Sequence, residues 1–154
     1  MVAMIHEALG DREAARAGYE RVLEANGRAG VAANNLAWMY AEDGRFDDAV
    51  RLATEAGEVM RDRPEPLDTL GWAYYRKGLP VHAMSAFERA IERAPDNPLY
   101  HYHLGLAHLK AGNEAQGQSA LRRALDLNAN FAGAEEARKL LSGHGETGDQ
   151  ESAR

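Results

Sequence analysis

Apolar residues recur along the chain at three- and four-residue intervals, the spacing that collects them on one face of an α-helix. Leu67, Leu70, Gly71 and Tyr74 form one such stripe at i, i+3, i+4 and i+7, and Ala83, Phe87 and Ala90 form the next. The stripes break at turn-forming residues. Within helix pairs the breaks are Gly10-Asp11, Asp43-Gly44, Gly78-Leu79-Pro80 and Gly112-Asn113. Between pairs they are Asn26-Gly27, Arg63-Pro64 and Ala94-Pro95-Asp96-Asn97-Pro98, where proline ends one helix and fits the first turn of the next. The pattern predicts about nine helices joined as antiparallel hairpins. The last runs from Phe131 to Leu141, and the polar tail beyond it has nothing to bury.

The hairpins repeat. Asn35-Leu36-Ala37-Trp38-Met39-Tyr40, Thr69-Leu70-Gly71-Trp72-Ala73-Tyr74 and His103-Leu104-Gly105-Leu106-Ala107-His108 are spaced by 34 residues each time. The second helices keep the same register through Ala49, Ala83 and Gly117, then Ala53, Phe87 and Leu121, then Ala56, Ala90 and Ala124. One period earlier, Ala3, His6, Ala15, Tyr19 and Val22 take equivalent places, so the sequence opens partway through the first helix of a unit. Small residues such as Gly71 with Ala83, or Gly105 with Gly117, let the helices of one hairpin approach closely.

Period and motif together resemble the tetratricopeptide repeat family, whose consensus is W-x-x-L-G-x-x-Y, then A-x-x-x-F, then P. Leu70, Gly71, Tyr74, Ala83, Phe87, Ala90 and Pro95 match it, with Leu67 in the tryptophan slot. The preceding unit carries Ala37 for glycine and Ala53 for the large aromatic, and the following one His101, His108 and Ala129 at the Trp, Tyr and Pro slots. The resemblance implies an all-α, right-handed superhelical solenoid of antiparallel helix hairpins over residues 1–141. Its parts are a partial repeat 1–29, repeats 30–63, 64–97 and 98–131, and a capping helix 131–141, with residues 142–154 a disordered tail. Phrases such as N-N-L-A-W and L-D-T-L-G-W are similar to those of bacterial multi-repeat proteins.

Composition narrows the function classes. A hydrophobic fraction of 45% with 27% charged residues fits a soluble fold, and no apolar run reaches the ~20 residues of a membrane-spanning helix. The first residues lack the basic and apolar blocks of a secretory signal. With no cysteine there are no disulfides or thiolate sites, and either cytoplasm or periplasm is compatible. A net charge of −6 has the wrong sign for gripping nucleic acid.

In the resemblance, first helices line a concave groove. The stripe beside the packing stripe is Asp68, Thr69, Trp72, Tyr75 and Arg76; its equivalents are Asn34, Asn35, Trp38 and Glu42 before it and Tyr102, His103, Leu106 and Lys110 after it. Both tryptophans lie here, with amide and carboxylate groups able to bond a peptide backbone. The competing reading is that Trp38 and Trp72 bridge neighbouring first helices as packing. The family's carboxylate clamp for chaperone tails is not expected, because Glu65, Asp68 and Thr69 stand where basic and amide residues belong, leaving Arg76 and Lys110 as the positive charges.

His101, His103 and His108 lack the i, i+4 spacing of a zinc-binding helix, so no metal or cofactor is expected; His101 and His108 read as packing substitutes and His103 as a groove residue. Asp47-Asp48 and Glu135-Glu136 suit helix N-termini, and no nucleotide, hydrolase or metalloprotease motif occurs, so no enzyme is expected. The leading expectation is a protein-interaction module that binds a partner peptide or helix in the groove, within a larger protein or assembly. The alternative is a structural scaffold or homo-oligomer formed through the N-terminal edge at Met1, Met4 and Ile5.

Overall fold

The computed structural model describes residues 11–143. Among these residues it is wholly helical: α1 (Arg12–Ala25), α2 (Gly30–Glu42), α3 (Phe46–Val59), α4 (Glu65–Lys77), α5 (Pro80–Arg93), α6 (Pro98–Lys110), α7 (Glu114–Leu127) and α8 (Ala134–Gly143). The edge residues Met1, Met4 and Ile5, the register positions Ala3 and His6, and the tail from residue 144 lie outside the described residues.

Hairpins α2–α3, α4–α5 and α6–α7 are closed by the same device. Gly44, Gly78 and Gly112 take φ of 79°, 84° and 80°, a left-handed conformation that only glycine adopts without strain. The amide of the next residue then reaches back to the carbonyl five residues earlier: Arg45 to Tyr40 at 2.8 Å, Leu79 to Tyr74 at 2.9 Å and Asn113 to His108 at 2.9 Å. Each helix end is thereby satisfied and reversed within three residues. Asp47-Asp48 and Glu135-Glu136 occupy first turns, as expected from the helix dipole.

Within each hairpin the facing positions are matched in size. A Cβ built on Gly71 would lie 2.5 Å from the Phe87 ring, and one on Gly105 would lie 2.8 Å from Leu121. In α2–α3 the same two positions are Ala37 and Ala53, both buried. Glycine therefore stands opposite a large side chain and alanine opposite alanine, so the facing pair is matched in size in each hairpin. Phe87 also reaches the next unit, its ring 5.4 Å from that of His103.

First helices touch first helices, α2 on α4 and α4 on α6, whereas second helices of successive units scarcely meet. The right-handed solenoid therefore turns its first helices to the inner side. The final helix begins at Ala134, three residues later than the apolar pattern predicts, because Gly133 at φ 107° interrupts the backbone. It continues through Ser142 and Gly143, and Phe131 stays outside it, its ring 5.5 Å from that of Tyr102.

Candidate functional site

The inner side carries a ladder of rings. Trp38 on α2 and Trp72 on α4, one period apart, stack with centroids 5.2 Å apart and planes inclined by 9°. Tyr75 continues the stack at 5.2 Å from Trp72. All three rings are partly exposed. The tryptophans bridge neighbouring first helices, as the packing reading holds, and also keep some exposed surface.

Polar ties fix their orientation. Glu42 accepts a 2.7 Å hydrogen bond from Trp72 Nε1 and a second from Arg76, which lies 5.9 Å from the Trp72 ring. Lys110 donates to the Tyr75 carbonyl at 2.8 Å and stands 4.3 Å over its ring. Asn35 Nδ2 donates to the Tyr19 hydroxyl at 2.9 Å, and Tyr102 donates to Glu136 at 2.9 Å. A rigid surface of this kind loses little side-chain entropy when something docks on it.

Five of the thirteen residues in the three stripes are not on the surface. Asp68, Thr69 and His103 are buried, with exposures of 6%, 3% and 3%, as are Tyr102 and Leu106. His103 is boxed in by Trp72, Phe87, Tyr102 and Trp38, with centroids 4.9 to 5.9 Å away. Its Nδ1 donates to the Asp68 carboxylate at 2.7 Å, tying α6 to α4. Tyr102 is covered by Phe131 and Glu136. These residues support the face from beneath. His101 contacts the Pro95 carbonyl at 2.7 Å, and His108 keeps a buried Nδ1 with no partner.

Asn34, Asn35, Trp38, Trp72, Tyr75, Arg76 and Lys110 remain accessible in part. The sequence reading missed Val31, which is 54% exposed and extends the α2 stripe at i, i+3, i+4 and i+7 with Asn34, Asn35 and Trp38. The buried Asn34 Oδ1 has no hydrogen-bond partner. The histidine–carboxylate pair has no nucleophile bonded to it and lies under the rings, so its geometry is that of a strut. Among the described residues no three histidine or carboxylate side chains are placed to hold a metal ion.

Burial acts to raise the pKa of Glu42, but the hydrogen bonds from Trp72 and Arg76 and the Arg76 charge outweigh it, and the carboxyl is held below its ordinary value. A depressed folded-state pKa means that the stabilisation is complete above the unfolded-state pKa and disappears as pH falls through the depressed one. Thermal melts followed by tryptophan fluorescence should lose Tm below about pH 4.5 in wild type, and Glu42→Gln should remove part of that slope. An unchanged slope would detach Glu42 from the stability of the face. Burial, then Glu136, raises the Tyr102 phenol, which stays a neutral donor.

The sequence profile of the tetratricopeptide repeat family matches residues 3–59 and 69–135. No curated protein matches the sequence. Among solved structures, a thermophilic tetratricopeptide repeat protein of Thermus thermophilus superposes with a TM-score of 0.81 at 22% identity, over 96% of this chain and 80% of that one. MamA gives 0.72 at 20% identity, over 100% and 98% of the two chains. The type III secretion translocator chaperone SycD of Yersinia enterocolitica gives 0.70 at 19%, over 77% and 92%. At these identities the likeness is one of fold.

Proposed function

The chain belongs to the tetratricopeptide repeat family, and on that footing we propose that it is a non-catalytic interaction module seating a peptide segment or helix of a partner protein against Trp38, Trp72 and Tyr75. The observation that carries this reading is the partly exposed stack of three rings held by Glu42, Arg76 and Lys110. Aromatic rings fixed by neighbours offer large contact area at low entropic cost, and such residues dominate binding energetics. Val31, Asn34 and Asn35 extend the partly exposed surface along α2. Arg76 and Lys110 lie at its other margin. Operation within a larger protein or assembly belongs to the same proposal.

The test is affinity capture from source-organism lysate with wild type, Trp72→Ala/Tyr75→Ala and Val31→Asp, after circular dichroism shows equal helicity. Val31 is more than half exposed, so its replacement leaves the packing intact. A partner retained by wild type should be reduced at least tenfold by both variants, on the scale of losing a central anchor. Retention by both variants would exclude this face. Recovery of the chain alone, lost on changing Met4 and Ile5, would favour the self-association reading.

A further inference from the structure

A second surface lies on the opposite side, between α3 and α5. In three units the second helix carries a large residue at each of two core-facing positions: Tyr19, Phe87 and Leu121 at one, Leu23, Ile91 and Leu125 at the other. In α3 the same positions are Ala53 and Gly57. The first deficit is partly made good by the Ala37 methyl, since Gly71 and Gly105 stand opposite the large residues of the later hairpins. Nothing makes good the second. A Cβ placed on Gly57 would meet only the Pro66 ring, at 3.8 Å. Ile91 and Leu125, by contrast, are packed into apolar clusters. Gly57 lies on the floor of an open cleft of about 470 Å³, together with Pro66, Leu67 and Leu70.

Its walls are basic. Arg61 follows α3, and Arg89 and Arg93, one turn apart on α5, face it across the cleft. Among the described residues none of the three enters an ion pair. Arg61 and Arg93 donate only to backbone carbonyls, those of Glu58 and Arg63, and Glu58 is the single carboxylate in the lining. The corresponding cleft one unit earlier is different, because its Arg45 and Arg51 are already paired with Asp48 and Glu55. Three guanidinium groups outside any ion pair, set around an apolar floor in a chain of net charge −6, form a local field opposite to that of the whole molecule.

We propose that this cleft is a second docking site, for an acidic peptide segment of a partner protein whose aliphatic side chain fills the space left by Gly57 and whose carboxylates pair with Arg61, Arg89 and Arg93. The apolar floor supplies the anchor and the planar guanidiniums supply bidentate pairing. The site shares no residue with the aromatic face, so either site can exist without the other.

The test is selection from a random peptide library displayed on phage against the whole protein, followed by fluorescence anisotropy with fluorescein-labelled copies of the enriched peptides. Enriched sequences should combine Asp or Glu with Leu, Ile or Val. Their affinity should fall about tenfold or more in Arg89→Glu/Arg93→Glu, from the reversed charges, and about tenfold in Gly57→Leu, which plugs the floor. Gly57→Leu should melt no lower than wild type, because neighbouring units carry Ile or Leu there and a helical glycine is replaced. Trp72→Ala should bind these peptides normally. The proposal is overturned if no acidic sequences are enriched, if both cleft variants bind as wild type, or if Trp72→Ala alone abolishes binding, which would assign the peptides to the aromatic face.

Discussion

Gly71→Ala should destabilise the protein by about 2 kcal/mol, although alanine is the better helix former. The added methyl would lie 2.5 Å from Phe87 Cε1, and that ring is fully buried, so neither group can move away without disturbing α6. Phe87→Ala alone should cost about 3 to 5 kcal/mol through lost burial and the cavity left behind. The double variant, however, rebuilds the alanine pair that α2–α3 already uses at Ala37 and Ala53. In the Phe87→Ala background the Gly71→Ala change should be neutral or stabilising. Urea denaturation of the four proteins gives the coupling energy directly, and it should exceed about 1.5 kcal/mol. Additive effects would mean that the two residues do not set the helix separation.

The second large effect is expected at the buried strut. Asp68→Ala leaves the His103 ring without its carboxylate partner in a space closed by four aromatic groups. Stranding a buried polar group in this way costs about 3 kcal/mol. Asp68→Asn keeps an acceptor at the same place and should lose less. Because His103 lies 4.9 Å from Trp72, the alanine variant should also shift the tryptophan emission in the folded state. A Tm equal to wild type would show that the pair does not fasten α4 to α6.

The repeat was readable from sequence because it depends on local chemistry. The glycines that reverse the hairpins and the 34-residue register each follow from residue type at a fixed spacing, whereas the sequence pairs Gly71 with Ala83 and only the packed helices set Phe87 against it. The candidate face was readable only in part. A helical stripe identifies residues that share a direction, but it does not say whether the adjacent unit covers them. Asp68, Thr69, Tyr102, His103 and Leu106 share the direction of the tryptophans and are covered by neighbouring helices and rings. Val31 lies on the same stripe, at i−3 and i−4 from Asn34 and Asn35, and is open to the same periodicity. The α8 start was misplaced because Phe131 continues the apolar pattern while Gly133 breaks the backbone. What is legible in retrospect at the cleft is its bare floor, where one unit carries two undersized residues, Ala53 and Gly57.

Both tryptophans of the chain sit on the proposed face, so their two indole N–H signals in a nitrogen-15 correlation spectrum report on it without mutation. The deciding measurement is a titration of labelled protein with the partner segment identified by capture. Both indole signals should move with saturable shifts, the Trp72 signal also sensing any change in its hydrogen bond to Glu42. Amide signals across Glu114–Leu127 should stay in place. Unmoved indoles, with shifts confined to Phe46–Val59 and Pro80–Arg93, would contradict binding at the aromatic face and leave the basic cleft as the docking site.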